Sequence, residues 1–267
     1  MRVLSLNTWG GRLHAPLIPY LAAANADVLC LQEMISTPSA DAEWLIYKDH
    51  SAELLQRANL FAEVAAVLPD HQAFFLPAAR GDLFDGERRF PSEWGLATLI
   101  RKTYPVIGQA HDFVHGDFSP DGWGTHPRAR NGHAVRLYNY AGGFAVTIVH
   151  LHGLRDPAGK DDTPARRVQA EALIRLIGRL HRAGERLVVC GDFNVLPSSQ
   201  TFEALRGLGL TDLVTSRGYT DTRTSHYRKT PRFADYMLVT PNVTVQHFEV
   251  VKTPEVSDHC ALILDFA

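Results

Sequence analysis

Apolar residues along this chain fall into short runs, and two periods can be read from them. Stretches 3–6, 28–31, 73–76, 96–100, 134–140, 144–151, 187–190, 234–239, 243–250 and 260–266 are rich in Val, Ile, Leu and Phe and read as strands. About ten strands are many for one open sheet, so two packed sheets are expected. A helical period appears between the runs. Leu54, Ala58, Phe61, Ala65 and Leu68 recur at alternating four- and three-residue steps, which predicts a helix with one apolar face. Thr163 followed by Pro164 reads as an N-cap with proline at the first helical position, opening a helix whose Leu173, Leu176, Ile177 and Leu180 are apolar. A helix over 15–24 is expected despite Pro19, and another over 200–208 stops at Gly209. Stretches 80–91 and 112–130 collect glycine, proline and charge and are expected as long loops, which in compact domains are more often functional than idle.

The chain has 267 residues. At about 150 residues per domain that nominally suggests two domains, but layered α/β proteins of this size often form one. No linker, repeat or low-complexity segment divides the sequence, so a single domain over 1–267 is expected. A composition of 45% apolar and 21% charged residues excludes a collagen-like, coiled-coil or disordered chain. Cys30, Cys190 and Cys260 are odd in number and lack CxxC spacing, which reads as buried free thiols in a reducing compartment. The apolar stretch near Met1 is too short for a signal peptide, and no run approaches the ~18 residues of a membrane span. A cytoplasmic protein with no obligate protein partner is expected. The net charge of −2 excludes a globally basic polyanion binder but leaves room for a local basic groove.

Polar clusters stand at the ends of several of these strands. They are Asn7-Thr8-Trp9, Gln32-Glu33, Gly191-Asp192-Phe193-Asn194 and Ser257-Asp258-His259, joined by His150, His152 and Asp235 within apolar context. A carboxylate against a buried strand is costly unless paired or bound to a metal. In their order along 3–266, Asn7, Gln32-Glu33, His150, Gly191-Asp192-Phe193-Asn194, Asp235 and Ser257-Asp258-His259 resemble the motifs of the endonuclease/exonuclease/phosphatase superfamily. The resemblance implies its DNase I-like fold, an α/β four-layer αββα sandwich with two packed mixed β-sheets. The Asn7-Thr8-Trp9 string, Thr220-Asp221-Thr222 and the Ser257-Asp258-His259 ending are also similar to the tyrosyl-DNA phosphodiesterase branch.

Glu33 and Asp258 are hard oxygen ligands and Asn7 adds a carbonyl oxygen, a set suited to Mg²⁺ or Mn²⁺. Trp9 stands where many relatives carry an acidic or polar residue, which favours one ion over two. The resemblance implies that Asp192 positions or deprotonates the attacking water, that Asn194 helps orient water and phosphate, and that Asp235 and His259 form a dyad. A purely local Asx turn is the alternative for Asp192 and Asn194. His150 matches the family histidine that touches the scissile phosphate, with a strand-capping role as its alternative. His152 either lines the cleft or faces solvent.

The expected reaction is hydrolysis of a phosphodiester by in-line attack of water, with a cation, a base and donors to the phosphoryl oxygens. The substrate end is less specified. Trp9 and Trp123 are candidates to stack a base or headgroup, or to pack as walls. Arg130 and its basic neighbours Arg128, His133, Arg155, Lys160, Arg166 and Arg167 suit a nucleic-acid backbone, a phosphorylated small molecule, or merely a solvated surface. A nuclease or phosphodiesterase on DNA or RNA is the leading expectation. The alternatives are a phosphatase or sphingomyelinase-like enzyme on a small molecule or lipid headgroup, and a non-catalytic binding protein on the same scaffold.

Overall fold

The computed structural model describes residues 1–49, 52–157 and 159–267. From the N-terminus come β1 (Arg2–Asn7), α1 (His14–Ala23), β2 (Val28–Ser36), β3 (Trp44–Asp49), β4 (Ala52–Arg57), α2 (Leu60–Val67), β5 (His71–Asp85), β6 (Arg88–Arg101) and β7 (Val106–His115). The second half adds β8 (Arg130–Asn139), β9 (Phe144–His152), α3 (Pro164–Gly178), β10 (Arg186–Asp192), α4 (Gln200–Arg206), β11 (Thr211–Asp212), α5 (Leu213–Ser216), β12 (Asp235–Val239), β13 (Val245–Val251) and β14 (Ala261–Phe266). One sheet has the order β13-β14-β1-β2-β6-β5-β3-β4 and the other β11-β12-β10-β9-β8-β7. Both are mixed, because β1 runs parallel to β2 and β9 parallel to β10 while their other neighbours are antiparallel. Two mixed sheets flanked by helices form the expected sandwich.

Strand alternation builds the layers. On β1 and β2, Leu4, Leu6, Leu29 and Leu31 join Leu17 and Leu21 of α1 and Leu60 and Val64 of α2, whereas Val3, Val28 and Cys30 join the cluster shared with the second sheet. These strands are apolar on both sides, so their sequences read as unbroken runs rather than alternating ones. Leu173, Leu176 and Ile177 of α3 belong to the same cluster as Val146 and Ile148 of β9. Thr163 caps α3, its hydroxyl accepting from Arg166 N at 3.4 Å. The three cysteines are buried and free.

Four local expectations are corrected. The helix expected over 54–68 is a strand followed by a shorter helix. Leu54 and Leu55 pair with Tyr47 and Ile46 of β3, and Arg57 ties the junction by donating to Glu43 and Glu63. The loop expected over 80–91 is the end of a long hairpin, in which Asp85 pairs with Arg88 around a turn carrying Gly86 at φ +61°. Its charged residues are exposed or half-buried, and they flank buried Leu83 and Phe90. Residues 112–115 extend β7, so that loop begins only after His115. Helix α4 ends at Arg206, short of the expected stop. Among the described residues, no helix is long and apolar enough to cross a membrane.

Candidate active site

The polar residues converge because three of them end strands of the parallel pairs and a fourth, Glu33, follows directly on the last paired residue of β2 with β1. Asn7 closes β1, His152 closes β9 and Asp192 closes β10, with His152 and Asp192 in register as neighbours. Glu33 lies on β2 where the register with β6 shifts between Leu31 and Met34, and its φ is +56°. A bulge of this kind re-aims a side chain at local backbone cost, a feature that collects at functional sites. Asn194 also has positive φ, at +54°. Gly191 must be glycine: its φ is +128° and a Cβ there would lie 2.2 Å from the Leu151 carbonyl oxygen. Asp235 opens β12 directly across from Asp192, and Asp258 and His259 precede β14.

Asn7 stitches the sheets together. Its Nδ2 donates to Glu33 Oε1 and Asp192 Oδ2, both at 3.1 Å, while its Oδ1 accepts from Trp9 N at 3.0 Å. Asn7 thus holds two carboxylates in place through Nδ2, while its Oδ1, with a second lone pair beyond the one the Trp9 amide occupies, keeps the capacity expected of a ligand oxygen. Ser257 Oγ donates to the Asn7 carbonyl at 2.6 Å, bringing the last motif against the first. Asp192 Oδ1 accepts from Asn194 N at 3.0 Å, so the local Asx turn is present beside the long-range bond from Asn7. Asp192 Oδ2 lies 3.6 Å from His152 Nε2 and 3.7 Å from His259 Nε2.

His259 and Asp235 form the expected pair, with Nδ1 at 2.8 and 2.9 Å from the two carboxylate oxygens. Its Nε2 contacts Arg223 Nη1, which also donates to Asp258 Oδ2 at 2.9 Å. A guanidinium has donors only, so Nε2 is an acceptor and the imidazole proton sits on Nδ1, toward Asp235. Burial and then Arg223 push His259 down to about 4. Burial raises Asp235 to about 7, opposed by Arg223 and a bond with Thr222.

Glu33 is raised to about 7 by burial, then by the charge of Asp258, against the Asn7 bond. Asp258 Oδ1 is buried with no hydrogen-bond partner. A carboxyl pushed up by neighbouring acids and a buried oxygen without a donor are what a bound cation corrects, so Glu33 and Asp258 fit a divalent ion. Asp192, Asp235 and His259 also offer ligand atoms within 4.8 Å of one another. Asp235 is also engaged by His259 Nδ1, so the trio can hold a proton as well as offer ligand atoms.

The placement of the remaining expected residues is mixed. His152, not His150, meets the acids. His150 is two residues back on β9, buried between the sheets, 2.7 Å from Thr98 Oγ1 and 3.4 Å from Gln32 Nε2. The correction follows from register, because His150 pairs with Cys190 and not with Asp192. Arg130 lies near the acids, with Nε donating to the Gly153 carbonyl at 3.1 Å and its guanidinium 4.9 Å from the Trp94 ring; burial lowers it to about 10. Trp9 borders the site, with Arg12 over its ring at 4.1 Å. Trp123 does not line the site: it packs on Tyr47 in a side cluster with Leu83 and Phe90, and Nε1 donates to the Asp82 carbonyl. Arg223 was not singled out from sequence, and no period marks it.

Buried acids, a histidine paired with one of them and two oxygens that fit a cation meet at one end of the two sheets. The chain belongs to the Endonuclease/Exonuclease/phosphatase family, whose pattern matches residues 4–259. It is 26% identical over 221 residues to the inositol phosphosphingolipids phospholipase C of Schizosaccharomyces pombe, an alignment spanning 79% of this chain and 45% of that protein. The chain thus spans about half the length of this relative. Its fold is similar to the Bacteroides thetaiotaomicron mannosyl-6-phosphatase, with a TM-score of 0.67 at 17% identity over 100% of this chain and 99% of the other. It is also similar to humanized D. rerio TDP2, with a TM-score of 0.62 at 15% identity over 100% and 98%.

Proposed function

We propose that the chain is a divalent-cation-dependent phosphodiesterase acting on a small phosphodiester of the lipid-headgroup kind. This is the sphingomyelinase-like alternative of the sequence reading in place of the nuclease. The observation that carries it is the state of the basic residues. Arg130 and Arg166 are only 6% and 1% exposed. Arg166 donates to the backbone carbonyls of Asp161, Leu154, Asn194 and Gly159, Lys160 to that of Phe233, and Arg128 to Asp49. Of the basic residues named from the sequence, Arg155 and Arg167 stay exposed, and two such cations do not form the row needed to neutralise successive phosphates of a nucleic acid. The similarity to the yeast phosphosphingolipid phospholipase C supports the same class.

A divalent ion held by Glu33 and Asp258 would neutralise phosphoryl charge and so lower the barrier to attack. Asp192, held by Asn7 and the Asn194 amide, takes the proton of the attacking water. Asn194 and His152 face the phosphoryl oxygens. A phosphate beside His259 Nε2 supplies the negative charge that draws a proton onto the ring, and Asp235 stabilises the resulting imidazolium from the opposite side. Incubation with Mg²⁺ and sphingomyelin or inositol phosphoceramide micelles is expected to release the phosphorylated headgroup, and EDTA or Asp192→Asn to stop it. Cleavage of single-stranded or nicked DNA or of RNA with these lipids and small diesters untouched would return the nuclease reading. Phosphate release from sugar monoesters alone would mark a phosphatase.

A further inference from the structure

We infer that Arg223 is a substrate residue that grips the phosphoryl oxygens of the ester at His259, an inference that rests on the phosphoesterase reading of that site. Its guanidinium touches His259 Nε2, so an oxygen within reach of that nitrogen also lies beside the guanidinium. Backbone geometry fixes this proximity independently of the side chains. Arg223 and His259 are antiparallel bridge partners, flanked by Thr224 N donating to Asp258 O at 3.1 Å and Cys260 N donating to Thr222 O at 2.9 Å.

The segment around Arg223 is held as a platform. Arg232 donates to the carbonyls of Arg223, Thr224 and Tyr227 at 2.8, 3.1 and 2.6 Å. The Tyr227 ring centroid lies 4.2 Å from Arg223 Cζ, a cation–π contact that orients the guanidinium plane. Arg130, Lys160 and Arg166 spend their donors on backbone carbonyls. Arg223 instead spends Nη1 on the site's own Asp258 and His259, and its Nε is buried without an acceptor although the residue is only 6% exposed.

A buried guanidinium with an unfilled donor is a costly arrangement unless an acceptor arrives. A phosphoryl group brings several anionic oxygens, and the planar fork of arginine matches two of them at once. Occupied in this way, Arg223 adds charge opposite the developing charge of the transition state, next to the imidazole that the dyad aims at it. Lysine keeps the charge but not the fork, so Arg223→Lys separates charge from geometry.

The test is titration of the full-length chain, in Mg²⁺, with inorganic phosphate as probe, followed by calorimetry and by the rise in Tm. Arg223→Gln, checked for native near-UV circular dichroism, is expected to weaken phosphate binding at least tenfold, with Arg223→Lys in between. Turnover should fall about 100-fold in kcat/KM for Arg223→Gln, the scale of losing one transition-state donor, with kcat carrying most of the loss. Wild-type protein with no saturable phosphate binding, or a folded Arg223→Gln that binds phosphate as tightly as wild type, would overturn the inference. Should the glutamine variant not fold, undiminished phosphate binding by Arg223→Lys overturns it as well. Because phosphate is not an organic substrate, failure here counts against Arg223, while failure of the lipid assays counts against the headgroup reading.

Discussion

Glu33 concentrates the local cost of this site in one residue. It takes positive φ on a bulge, stands near Asp258 and Asp192, and is raised from an ordinary value of 4.5 to about 7. A carboxyl raised by folding stabilises the native state fully below its unfolded pKa, and that contribution disappears as pH climbs through the folded value. In EDTA, wild-type protein should therefore lose stability relative to Glu33→Gln between about pH 4.5 and 7, by roughly 1–3 kcal/mol. The histidines pushed down by burial act oppositely at low pH, so the difference between the two proteins isolates Glu33 from the total. Melting curves in EDTA from pH 5 to 8 should show the Tm of the glutamine variant gaining on wild type as pH rises, and Mg²⁺ should reverse the order by stabilising only wild type. A Tm difference that stays constant with pH would show that Glu33 does not carry this burden. Position along the sequence, directly after a buried run, was enough to mark Glu33 as a site acid; the bulge that turns it was not legible, because register with β6 is set by pairing from a distant segment.

On a strand, residues two apart share a face, and β9 places both His150 and His152 toward the first sheet. Which one reaches the acids depends on how far β9 runs alongside β10, and a sequence alone does not contain that register. The pairing of His152 with Asp192 resolves it. Their substitutions should consequently differ in kind. His152→Ala is expected to lower kcat/KM by about 100-fold with little change in Tm, in keeping with loss of a group acting on the reacting centre. His150→Ala leaves Thr98 and Gln32 without their partner between the sheets and should cost about 1–3 kcal/mol in urea denaturation, with a much smaller effect on turnover of the folded fraction. If His150→Ala abolishes turnover while His152→Ala does not, the register argument fails. The same limit explains the other misread elements. Strands buried on both faces, β1, β2 and β10, announce themselves as apolar runs, whereas β3, β4 and β7 are half-exposed and carry polar residues that imitate loop or helix. Arg223 lies outside any helix or strand, in the stretch between α5 and β12, where periodicity has nothing to report.

Across the molecule, the site belongs to neither sheet alone. Asn7 and Glu33 come from the eight-stranded sheet and His152, Asp192 and Asp235 from the six-stranded one, and the Asn7–Asp192 bond crosses between them. The chain ends lie within the same architecture: β1 is hydrogen-bonded between β14 and β2, and the N-terminal ammonium donates to the Phe266 carbonyl at 2.7 Å. Val3, Val28 and Cys30 of the first sheet share a core cluster with Val146, Ile148 and Val188 of the second, so separating the sheets exposes that shared apolar core. If residues 1–267 behave as one cooperative domain, loss of the sheets and loss of the site are a single event. Urea unfolding followed by far-UV circular dichroism, by tryptophan fluorescence and by residual turnover should then give coincident midpoints. Added phosphate with Mg²⁺ should move all three together, by about 1.4 kcal/mol for each tenfold excess over Kd, because ligand binds only where both sheets are in place. Turnover lost well before the circular dichroism signal, with a second transition at higher urea, would divide the chain into two units and overturn the single-domain expectation.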